Sequence, residues 1–68
     1  MEIKIRINGE EKSVAEGQTV AELLEVLKVS NQTAIVEYNR KILDKNNYET
    51  TALREGDELE LVRFVGGG

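Results

Sequence analysis

Isoleucine occupies every second position at the start of the chain. Ile3, Ile5 and Ile7 fall on one face, while Glu2, Lys4 and Arg6 fall on the other. That period of two predicts a half-buried β-strand. Asn8-Gly9 follows, the dipeptide that best tolerates the positive φ angles of a two-residue hairpin turn. A returning strand is expected over about Lys12 to Ala15, with Val14 pointing inward. The period then changes. Val20, Leu23, Leu24 and Leu27 are spaced i, i+3, i+4 and i+7, one apolar stripe along a helix. Thr19 precedes the stripe and Glu22 stands three residues later, which predicts a capping box and a helix from about Val20 to Lys28.

The second half returns to strands. "TAIVEYN" is rich in β-branched and aromatic residues and predicts a central strand near Ala34 to Tyr38. Asn39-Arg40-Lys41 is expected to turn the chain into a short strand at Ile42-Leu43. "DKNNYETTA" is polar and irregular, with Tyr48 tucked beneath it, and Leu53 anchors the chain before the turn Arg54-Glu55-Gly56-Asp57. In "ELELVRF", Leu59 and Leu61 share one face, whereas Glu58, Glu60, Val62 and Phe64 share the other. One helix cannot cover both faces of such a sheet. The order predicts an α+β fold of the β-grasp (ubiquitin-like) kind: a mixed sheet of about five strands around one main helix, with the first and last strands side by side at its centre. The domain is expected to span residues 1–65, followed by a flexible glycine tail at 66–68.

Composition narrows the chemistry. A chain of 68 residues is one domain. It buries only about 60% of the surface that its unfolded form exposes. There is no cysteine and no histidine, so the commonest nucleophiles, general bases and zinc ligands are missing. The net charge is −4, and the nine Lys and Arg residues are scattered, which argues against nucleic acid as a partner. Basic protein surfaces fit the charge better. No stretch reaches the roughly 18 apolar residues of a membrane span. The strand pattern from Ile3 leaves no room for a signal peptide, so a cytoplasmic protein without membrane partners is expected.

The carboxylate clusters Glu10-Glu11, Glu22/Glu25 and Glu55/Asp57/Glu58 fall on turns or on the polar helix face. They are read as solvated surface, with no catalytic residue and no metal site among them. Gly56 is turn punctuation rather than part of a phosphate loop. Val62 and Phe64 should emerge on the open sheet face next to the glycines, as a docking patch. The ending "GGG" is either a frayed tail or the working part. Gly67-Gly68 has no Cβ, can thread a narrow channel and leaves an unhindered carboxylate.

The β-grasp pattern, "EGQTVAELLEVL" at the helix entry, "AIVEYNRKIL" in the middle strand and "LREGDELELVRFVGGG" at the end together resemble the ThiS sulfur carriers of thiamine biosynthesis. The resemblance covers essentially the whole chain. It implies that a ThiF-like enzyme, related to ubiquitin-activating enzymes, adenylates the carboxylate of Gly68. The carrier itself binds no cofactor; ATP is used by that enzyme. A persulfide from a cysteine-desulfurase pathway then leaves a thiocarboxylate on Gly68, and a ThiG-like thiazole synthase consumes its sulfur. By position, Gly66 and Gly67 become the threading tail, with Gly66 as extra slack beyond the diglycine. Val62 and Phe64 become docking residues for both enzymes, and the free chain is expected to be a monomer that is a substrate, not an enzyme.

Three alternatives stay open. MoaD-like carriers of molybdopterin synthesis share the fold and the diglycine, but are usually longer and tend to have a proline before the tail. A ubiquitin-like modifier would end in an isopeptide bond to a target lysine. An interaction module with an incidental glycine tail belongs to another class.

Overall fold

The computed structural model describes residues 1–30 and 33–63. Within them, β1 (Glu2–Ile7) and β2 (Glu10–Ala15) form an antiparallel hairpin in which Ile7 faces Glu10. The connection is Asn8-Gly9, with φ of 52° and 83°, the geometry this dipeptide favours. The short loop lets β2 start at Glu10, two residues earlier than its apolar content indicated. Val14 is buried, as expected.

Helix α1 (Val20–Val26) starts as its capping box dictates. The Thr19 hydroxyl accepts from the Glu22 amide at 3.2 Å, and the Glu22 carboxylate accepts from the Thr19 amide at 2.9 Å. The helix ends earlier than the apolar stripe does. Lys28 takes φ of 60°, its amide donates to the Glu25 carbonyl, and the Val29 amide donates to the Leu24 carbonyl. These two bonds form a Schellman ending, usually signalled by glycine but here carried by lysine.

β3 (Ala34–Tyr38) and β4 (Lys41–Ile42) form a second hairpin. Its turn is Asn39-Arg40 alone, with φ of 50° and 71°, and Lys41 already pairs with Tyr38. The expected three-residue turn is therefore one residue shorter, and the short strand lies one residue earlier. A 3-10 turn at Lys45–Asn47 delivers Tyr48 into the core, where its hydroxyl donates to the Ala34 carbonyl at 3.0 Å. The same loop supplies carbonyls of Tyr48 and Thr51 to the Ala21 and Val20 amides, so the helix start is satisfied by the chain beneath it.

β5 (Glu58–Arg63) completes a five-stranded mixed sheet in the order β2-β1-β5-β3-β4. It runs parallel to β1 and antiparallel to β3, so first and last strands do lie side by side. Ile3, Ile5, Ile7, Val36 and Leu59 meet Val20, Leu23 and Leu24 of the helix, with Tyr48 and Leu53 closing the core. Each such side chain contributes about 1.5–3 kcal/mol on burial. The helix covers one sheet face and the other is open. Among the described residues, no helix is long and apolar enough to cross a membrane.

Candidate functional site

Cross-strand register assigns the open face. Arg6 of β1 lies beside Glu58, Glu60 faces Glu37, and Val62 faces Ile35. Because opposed residues share a face, Val62 and Ile35 form an apolar pair beside a row of carboxylates, with Ile42 across from Glu37 at the edge. Val62 is 48% exposed and Ile42 75% exposed, whereas Leu59 on the opposite face is buried. The alternation read from "ELELV" is thus correct for Leu59 and Val62, and Leu61 is partly buried against the core. Phe64, Gly66, Gly67 and Gly68 lie outside the described residues. A shallow cleft on this face is lined by Arg6, Glu37, Arg40, Glu58 and Glu60. Its charges are balanced only in part, with Arg40 Nε 4.0 Å from Glu58 Oε1.

Asp57 corrects one expectation. The sequence groups it with Glu55 and Glu58 as solvated surface, yet it is 7% exposed. Its Oδ2 accepts from the Tyr38 hydroxyl at 2.6 Å and from the Arg54 amide at 2.8 Å, while Oδ1 accepts from Asn39 Nδ2 at 3.2 Å. Asn39 in turn accepts from the Glu58 amide through Oδ1 and donates its own amide to the Glu58 carbonyl. Asp57 thus ties the β3–β4 turn to the turn that launches β5. The charge is buried because its donors compensate the lost hydration. Its role is to aim the last strand.

Burial, followed by the hydrogen bond to the Asp57 carboxylate, pushes the Tyr38 hydroxyl from 10.0 up to about 12. The sign follows directly. Below about pH 10 both folded and unfolded chains keep the proton, so the stabilisation is fully present. Between about 10 and 12 the unfolded chain loses its proton first, and stability falls as pH rises. Burial raises Tyr48 as well, so it adds to the same slope. Urea unfolding across this window should show the decline, and Tyr38→Phe should flatten it. An unchanged slope in that variant would remove Tyr38 as its source.

Fold and site together define a class: a ubiquitin-like β-grasp module whose last strand runs from the core, past an open apolar and acidic face, towards a glycine ending. Residues 5–68 match the ThiS family, and the chain belongs to it. The sulfur carrier protein ThiS of Bacillus subtilis is 35% identical over 65 residues, covering 94% of this chain and 98% of that one. The crystal structure of the thiamine biosynthesis protein ThiS from Geobacter metallireducens superposes with a TM-score of 0.82 at 35% identity, covering 97% of this chain and 100% of that one. A thiazole synthase of Paramagnetospirillum magneticum is 42% identical over 66 residues. That match covers 97% of this chain, which spans only 20% of the length of the synthase.

Proposed function

We propose that this chain is a sulfur carrier of thiamine biosynthesis and that Gly68 carries the sulfur on its carboxyl carbon. The observation that carries this reading is the family match, which continues through residue 68 and so includes the glycine ending. The 35% identity to a sulfur carrier of nearly equal length supports the same assignment.

The chemistry needs little from the chain itself. A Gly68 carboxylate oxygen attacks the α-phosphate of ATP in a ThiF-like adenylating enzyme, and pyrophosphate leaves. A persulfide from the cysteine-desulfurase pathway then attacks the acyl carbon and expels AMP. Cleavage of the resulting acyl disulfide by a thiol leaves the thiocarboxylate, the sulfur nucleophile that thiazole synthase takes up. Gly66 and Gly67 supply a backbone thin enough to enter both enzymes. The chain is a substrate of its partners, and their residues perform the catalysis.

Docking falls to the open face. Val62 presents an apolar side chain beside Ile35, and the carboxylates of Glu37, Glu58 and Glu60 suit a cationic partner rim. Phe64, two positions on in the sequence alternation, is proposed as a second docking residue. Val62→Asp should lower the melting temperature by only a few degrees, since strand propensity and one cross-strand pair at a half-exposed position are worth about 1 kcal/mol. Affinity for the adenylating enzyme should fall about tenfold or more. Equal affinity, measured by calorimetry, would take Val62 out of the interface.

The functional test is reconstitution. Thiazole synthase supplied with the sulfur-loaded chain should form thiazole, and the unloaded chain should support none. Thiazole formation that does not depend on the loaded chain would defeat the assignment to this pathway.

A further inference from the structure

Strand β5 runs on past the end of the strand beside it, because the two are offset. β1 pairs with β5 only through Arg6 opposite Glu58 and Ile7 opposite Leu59, and then turns away at Asn8-Gly9. β5 continues to Arg63, held by β3 through the pairs Ile35–Val62 and Ala34–Arg63. Its backbone groups alternate between the two neighbours. Carbonyls of Asp57 and Leu59 accept from the Arg6 and Asn8 amides on the β1 side, whereas the Glu58 carbonyl accepts from the Asn39 amide on the β3 side. Odd-numbered residues therefore address β1. The Leu61 amide conforms, donating to the Asn8 side-chain Oδ1 at 2.9 Å, where a side chain stands in for the missing strand. Beyond it, the Leu61 carbonyl and the Arg63 amide and carbonyl point into a lane that no described strand occupies.

That lane has apolar walls. On the core side lies a cleft of about 250 Å³ lined by Ile7, Leu27, Val29 and Leu61 together with Asn8, Glu10 and Lys12. On the open side stands Val62. An added strand would place alternate side chains against each, so main-chain bonds would supply affinity and the two walls would select apolar residues at every second position.

We propose that an extended segment of thiazole synthase pairs with the β5 edge at Leu61–Arg63 and continues the sheet in the lane that β1 leaves at Asn8. The proposal rests on the sulfur-carrier reading. Thiazole synthase is chosen because a 66-residue stretch similar to this chain occurs within a thiazole synthase polypeptide, where the two parts share one molecule. An enzyme that receives Gly68 must also bring its own backbone close to the strand that leads there.

Proline separates this edge from the β3 pairing. Arg63→Pro removes an amide that points into the lane and leaves the bonds to β3 intact, a position where strands tolerate proline. Compared with Arg63→Ala, it should melt at the same temperature and bind purified thiazole synthase about tenfold more weakly. Equal binding by the two variants would overturn the proposal. Hydrogen exchange on the unaltered chain gives a second measurement, independent of how the proline variant folds. The Arg63 amide should exchange at least about tenfold more slowly in the complex. A stable complex with no protection of that amide overturns the edge pairing alone, whereas an unaltered chain that fails to bind thiazole synthase overturns the functional reading as well.

Discussion

A chain lacking Gly68 is expected to fold as the full chain does and to accept no sulfur. Glycine has no side chain to bury, so the deletion should change stability by less than about 0.5 kcal/mol, or about 4 °C in melting temperature. Its chemical effect should be close to complete. Removing one extended residue draws the carboxylate back by about 3.3 Å. Reacting atoms must come within about 3–3.5 Å and in line, so the shortened chain falls short of the α-phosphate. Adenylation, followed as pyrophosphate release, should drop at least a hundredfold, on the scale of about a 1 Å misplacement at a reacting centre. Undiminished adenylation of the shortened chain would place the reactive group elsewhere.

Asp57→Ala should do the opposite, leaving Gly68 intact and weakening the fold. It strands the Arg54 amide, the Tyr38 hydroxyl and the Asn39 side-chain amide without their common acceptor. A buried donor left unpaired costs about 1–3 kcal/mol, and bonds to a charged acceptor stand at the upper end. Tyr38 and Asn39 retain some access to water, so the sum should be about 3 kcal/mol rather than three full penalties. A domain of this size has about 3–10 kcal/mol in all. The melting temperature should fall by about 12–24 °C, and Asp57→Asn, which keeps an acceptor oxygen, should fall less. A loss below about 1 kcal/mol in calorimetry would mean that the turn is held by other bonds.

The elements that were legible in the sequence are those whose signal is local. Ile3, Ile5 and Ile7 specify a face, Asn8-Gly9 specifies its own turn, and Thr19 with Glu22 specifies a helix start, each within a few residues. The helix end was not legible, because Lys28 takes the left-handed position without the glycine that usually announces it. The β3–β4 turn was misjudged by one residue for the same reason, since Arg40 adopts φ of 71° with a full side chain. Asp57 was misread because its partners Tyr38 and Asn39 lie 19 and 18 residues away, beyond any local pattern. At the candidate site, alternation placed Val62 outward correctly. The unpaired lane beyond Asn8 had no sequence signal at all, because it depends on where one strand stops relative to its neighbour.

The central claim is that Gly68 becomes a thiocarboxylate, and intact-mass spectrometry tests it most directly. The full chain, incubated with ATP, the adenylating enzyme and a persulfide donor, should gain the mass difference between sulfur and oxygen. Fragmentation should confine that gain to the peptide ending in Gly68. An unmodified chain under conditions where ATP is consumed, or a chain recovered in isopeptide linkage to lysines of other proteins with no thiocarboxylate formed, would contradict the account.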